Sequence, residues 1–107
     1  MRAYAQAELK RKPLRREAVR SDKKAVTFQT LARLGSRVFV AGTFNDWNPS
    51  SHPLEYRSED GVFETTLHLA TGYYEYKFVI DGHWHIDCSC PNWVLNHSGG
   101  LNSVVTV

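Results

Sequence analysis

A chain of 107 residues builds one domain, or one domain with a tail, and can bury a modest core without disulfides. Its 42% apolar content is ordinary for a globular protein, no apolar run reaches membrane-spanning length, and Met1–Arg20 lacks the apolar stretch of a secretory leader, which argues for the cytoplasm. The net charge of +2 conceals a split: residues 1–24 hold nine of the thirteen Lys and Arg but only three acids, so that segment is +6 and the remainder −4.

A basic arm of this kind can meet nucleic acid, a membrane or an acidic partner. Glu8, Glu17 and Asp22 interrupt it, and it lacks the aromatic interleaving of a single-strand binder, so a solvated arm is expected and nucleic-acid binding is not. Met1–Lys12, rich in Ala, Leu, Glu and Lys, predicts a turn or two of helix that Pro13 interrupts. Residues 1–23 therefore read as a basic, flexible or partly helical tail ahead of a domain over 24–107.

From Ala25 the apolar period becomes two. Ala25–Leu31 predicts a half-buried strand, Gly35 a turn, and Arg37–Ala41 a second strand that Gly42 ends. Asn45–Pro53, dense in Asn, Asp, Ser and Pro, predicts a loop, and Leu54–Tyr56 a short strand. Glu59-Asp60-Gly61 turns into Val62–Leu69, and Thr71-Gly72 turns into Tyr73–Ile80. Asp81-Gly82 is the strongest two-residue hairpin signal and returns the chain into His83–Asp87. Cys88–Gly100 reads as irregular and Leu101–Val107 as the last strand. Short strands at this spacing, without a convincing helix, predict an all-β, antiparallel β-sandwich.

With Asp81-Gly82 as a two-residue loop, Ile80 faces His83, Val79 faces Trp84 and Phe78 faces His85. Parity then assigns Tyr74, Tyr76, Phe78 and Ile80 to the core side and Glu75, Lys77, Val79 and Trp84 to the other. A lysine and a tryptophan thus share one outward face on neighbouring strands. Trp47 lies in the turn-rich stretch GTFNDWNP, a second tryptophan poorly placed for a core and well placed to offer a flat ring.

These motifs, GTFNDW, then YEYKFVIDGHWHID, then GGLNSVVTV, resemble a family-48 carbohydrate-binding module over roughly residues 24–107. That group includes the glycogen-binding domain of the AMP-activated protein kinase beta subunit and the N-terminal modules of branching and debranching enzymes. The resemblance implies an immunoglobulin-like β-sandwich that binds α-1,4-linked glucan, glycogen or starch, as polysaccharide or malto-oligosaccharide. It implies Trp47 and Trp84 as the sugar-stacking residues, with Lys77 and Asn102 hydrogen-bonding sugar hydroxyls. Two departures stand out. Ser98-Gly99-Gly100-Leu101 replaces a stretch that in the kinase-type domains supplies a leucine and a threonine to the sugar, and Cys88 replaces the proline usual after the residue matching Asp87.

The chemistry suits those residue types. A pyranose has an apolar C–H face that an indole covers and a rim of hydroxyls that Lys and Asn can read. Each side chain also has a plainer role: Trp47 capping the core beside Phe44, Trp84 packing across strands, Lys77 in solvent, Asn102 supporting a turn. Trp93, after Pro91 and without a motif counterpart, is expected to pack, with a sugar contact as the alternative; Tyr73 is expected in the core with Tyr74, Tyr76 and Phe78.

Catalysis is not expected, since no paired carboxylates, Ser-His-Asp order or phosphate-cradling loop emerge. His83, His85, Asp87, Cys88 and Cys90 fall within eight residues, but the spacing lacks a second zinc-ligand pair, so no metal or cofactor is expected. Cys88 and Cys90 are too near in sequence for an unstrained structural disulfide and read as free thiols. The basic tail can dock onto a glucan-metabolising enzyme or a kinase subunit while the domain holds polymer. The rival to glucan binding is a protein-interaction scaffold of such a complex, with weak or no sugar binding.

Overall fold

The computed structural model describes residues 23–107. The helix expected within Met1–Lys12, and all but the end of the basic tail, lie outside the described residues. Among the described residues there are eight strands: β1 Lys23–Leu31, β2 Val38–Gly42, β3 Glu55–Arg57, β4 Val62–Ala70, β5 Tyr73–Ile80, β6 His83–His85, β7 Trp93–Leu95 and β8 Leu101–Thr106. A 3-10 turn, Thr43–Asn45, follows β2.

The strands form two antiparallel sheets, one ordered β1-β4-β3 and the other β2-β5-β8-β7, with β6 also pairing β5. The expected all-β antiparallel sandwich is what the chain adopts. Apolar residues at period two explain why the sheets close on each other. Phe28 of β1 and Phe63 and Leu69 of β4 meet Val38 and Val40 of β2 and Tyr76 and Phe78 of β5, with Leu54 completing the buried cluster. Phe28 sets its ring edge-on to Tyr76, centroids 4.9 Å apart.

β5 is the central strand of the larger sheet. One side of it pairs with β2, and the other pairs first with β8 and then with β6. The Asp81-Gly82 turn has positive φ at both residues, 50° and 84°, the backbone of a type I′ hairpin. The observed register, Phe78 with His85, Val79 with Trp84 and Ile80 with His83, is the one the two-residue loop predicts. Asp81 secures the turn by accepting the Arg37 N–H on Oδ1 at 2.9 Å.

Three expectations are corrected. Cys88–Gly100 is not wholly irregular, because Trp93–Leu95 forms β7 along β8, with Trp93 opposite Ser103. Trp93 is not packed: as part of an edge strand it is 57% exposed. Tyr73 is not in the core but 55% exposed, since parity puts it on the outward side with Glu75 and Lys77.

Polar bonds tie the segment between β6 and β7 to the larger sheet. The Tyr76 hydroxyl donates to Asp87 Oδ2 at 2.7 Å, and Ser103 Oγ accepts the Asp87 N–H at 2.8 Å. Burial, and then the Asp87 carboxylate, push the Tyr76 hydroxyl far above its ordinary pKa, so it stays a donor at every working pH. Cys88 and Cys90 are free thiols.

Candidate functional site

The outward face of the larger sheet carries a groove of about 570 Å³ lined by Trp47, Glu75, Lys77, Trp84, Leu95, Asn96, His97, Ser98 and Asn102. The four residues singled out in the sequence, Trp47, Lys77, Trp84 and Asn102, therefore border one depression although they span 56 positions of the chain. β5 supplies Lys77, the β5–β6 hairpin Trp84, β8 Asn102, and the loop after β2 Trp47.

That loop is built to hold its tryptophan. Asn45 Oδ1 accepts the Gly42 N–H at 3.0 Å, while its Nδ2 reaches the Val40 carbonyl at 3.1 Å and His52 Nδ1 at 2.8 Å. The Trp47 N–H returns to the Gly42 carbonyl at 2.9 Å. Closing so tightly forces Asp46 and Trp47 into consecutive left-handed conformations, φ 55° and 59°. Asp tolerates that region, but a bulky residue there is strained by about 1–3 kcal/mol, a cost met by the surrounding bonds.

Gly42 is required for a different reason. A Cβ at that position would lie 2.4 Å from the Glu75 carbonyl oxygen and 2.9 Å from Tyr76 Cβ. The loop is further tied to β5 by Thr43, whose Oγ1 accepts the Glu75 N–H at 3.2 Å. Phe44, packed 5.6 Å from Phe28, anchors its base in the core. Core capping thus falls to Phe44, and Trp47 is left half-buried at the groove.

Trp84 is 46% exposed and stands opposite Val79, which is only 4% exposed although it lies on the outer face. Its indole therefore shares a face with Val79 and offers open surface. The Trp47 and Trp84 rings lie 6.4 Å apart with planes at 48°, a shallow V. Such an angle seats two successive rings of a curved chain better than one flat ligand.

Asn102 departs from the simple picture of an asparagine presented to solvent. It is 7% exposed, donates from Nδ2 to Glu75 Oε1 at 2.8 Å and accepts from Asn96 Nδ2 at 3.2 Å. Asn96 also accepts the Ser98 and Gly100 N–H groups at 3.0 Å each, fixing the β7–β8 loop that walls the groove. A Cβ on Gly100 would sit 3.8 Å from Lys77 Nζ, so that loop closes directly beside the ammonium.

Glu75, Leu95, Asn96, His97 and Ser98 were not anticipated as groove residues. Glu75 could have been found, because parity with Lys77 puts it on the same face. The others depend on β7, whose pairing no local pattern announces. Among the described residues, no three His, Cys, Asp or Glu side chains gather as a metal-holding group.

The family model of the glycogen recognition site of AMP-activated protein kinase matches residues 25–107. Among similar proteins, Protein FLOURY ENDOSPERM 6, chloroplastic, of Oryza sativa subsp. japonica is 39% identical over 72 residues, 67% of this chain and 13% of that protein. Protein PTST homolog 2, chloroplastic, of Arabidopsis thaliana is 40% identical over 72 residues, with the same shares. The 5'-AMP-activated protein kinase subunit beta-1 of Sus scrofa is 38% identical over 73 residues, 68% of this chain and 56% of that protein. The chain thus spans about one-eighth of the plant proteins and just over half of the pig subunit.

Proposed function

This chain belongs to the family of the glycogen recognition site of AMP-activated protein kinase, and on that footing we propose that it binds α-1,4-linked glucan without catalysing its cleavage. The observation that carries the reading is the angled indole pair, Trp47 and Trp84, at 6.4 Å across one groove with Lys77 and Asn102. In this reading the indoles stack on the apolar faces of successive glucose units and Lys77 donates to their hydroxyls. Asn102 contributes its second N–H and remaining lone pair, the first of each being engaged within the protein.

Glucan cleavage by the usual route needs two carboxylates flanking the bond, and the groove is lined by one, Glu75. Net gains of about 0.5–1.5 kcal/mol per hydrogen bond make each site weak, and a polymer compensates through many sites. Free Cys88 and Cys90 suit a reducing compartment, and the cytosol is our proposed setting. The division into a basic tail, 1–23, and a glucan-binding unit, 24–107, completes the proposal.

Retarded migration in a native gel containing glycogen or amylopectin tests this reading, with retardation lost in Trp47→Ala and Trp84→Ala. Unchanged mobility of the native protein at high polymer concentration overturns it in favour of the scaffold. That second reading draws on a separate cleft of about 830 Å³, lined in part by Leu31, Ala32, Val62, Ile80 and Ile86, near the exposed Leu31 and Leu34. A glucan-metabolising enzyme or kinase subunit is the partner proposed for it.

A further inference from the structure

The indoles and the ammonium bring only donors to the groove, and the Asn102 amide is largely engaged. Lys has three donors and no acceptor, and each indole has a single donor. A sugar hydroxyl both gives and takes, so its protons need an acceptor that Lys77 and the two indoles cannot supply. Glu75 is the acceptor in the right place. It lies on β5 two residues before Lys77, half-buried, and it is the carboxylate lining the groove.

Its two oxygens have about four acceptor positions. Oε1 takes one hydrogen bond, from Asn102 at 2.8 Å, and Oε2 only a long one from the Tyr73 hydroxyl at 3.4 Å. Capacity therefore remains on both oxygens, whereas Asn102, buried and bonded at both ends of its amide, has much less. The β5 backbone fixes where the carboxylate stands, since the Glu75 N–H is bonded to Thr43 in the loop that carries Trp47.

We propose that Glu75 is a sugar-contacting specificity residue: its carboxylate accepts from the adjacent 2- and 3-hydroxyls of a glucose unit held by the indoles, while Oε1 also orients Asn102. The Glu75–Asn102–Asn96 chain then makes Asn96 a positioning residue, which holds Asn102 from the opposite side and sets the loop edge. This rests on the glucan reading and refines it. The groove selects gluco-configured diols that can donate in pairs, and it rejects chains whose 2- and 3-oxygens are capped.

The test is calorimetric titration of the full chain with maltoheptaose and with its 2,3-di-O-methylated counterpart, for the native protein, Glu75→Gln and Asn96→Ala. Gln keeps the shape and an acceptor for Asn102 but loses the charge, and charged hydrogen bonds exceed neutral ones enough to expect binding about five- to tenfold weaker. Methylation should weaken the native protein by a similar factor or more and Glu75→Gln by no more than about twofold. Asn96→Ala should bind more weakly while keeping the native preference for the unmethylated chain. Glu75→Gln binding maltoheptaose as the native protein does, with the same response to methylation, overturns the assignment alone. A native protein that binds neither maltoheptaose nor glycogen overturns the glucan reading with it.

Discussion

Trp84→Ala offers the sharpest test of the indole pair, because the structure gives its size. Trp84 leaves 46% of its surface free. A tryptophan presents about 250 Å² at most, so about 115 Å² is open, and one sugar face covers roughly half of that. At about 25 cal/mol per Å², the lost contact amounts to about 1.4 kcal/mol, or a tenfold rise in Kd for maltoheptaose. The same truncation removes a cross-strand pair with Val79 and should lower stability by up to about 1 kcal/mol, visible as a smaller urea midpoint with an unchanged slope. Calorimetry on samples shown to be folded by near-ultraviolet circular dichroism separates the two effects. Trp84→Tyr should fall between Ala and native. A folded Trp84→Ala protein with native Kd would refute the stacking argument, whatever its stability.

Two further outcomes follow from the surroundings of the site. Gly42→Ala drives a methyl group against the Glu75 carbonyl and Tyr76, so it should destabilise by about 1–3 kcal/mol in urea titration and weaken maltoheptaose binding by displacing the Trp47 loop. In the smaller sheet, hydrogen bonds from Gln29 and then Arg57, the latter at 2.8 Å, hold the Glu64 carboxyl below its usual pKa. A lowered folded pKa adds stability above the unfolded value of about 4.3 and loses it as pH falls through the folded one. Glu64→Gln should therefore be less stable than native at pH 7, and urea midpoints for the two should converge below about pH 4.

Much of this was legible in the sequence, for identifiable reasons. Asp81-Gly82 permits few backbone turns, so it set the β5–β6 register and with it the shared face of Lys77 and Trp84. Alternating apolar residues located Tyr73–Ile80 to the residue, while Val62–Ala70 ran one residue past its expectation. β7 was not legible, because a three-residue edge strand amid Pro, Asn and Cys takes its register from β8 rather than from its own pattern. The exposure of Trp93 follows from that edge position. Asn102 was placed by its motif, but its burial between Glu75 of β5 and Asn96 of the β7–β8 loop is an arrangement that no short window of sequence contains.

The left-handed Asp46-Trp47 corner has a consequence for timing. Since the strain is already present in the free molecule, docking a sugar requires little reordering of the loop, and encounter can run near about 10⁷ per molar per second. With the association rate set in this way, differences in affinity between glucans would be read in how long each one stays. The corner thus shifts the cost of shaping the site from the moment of encounter to the moment of folding.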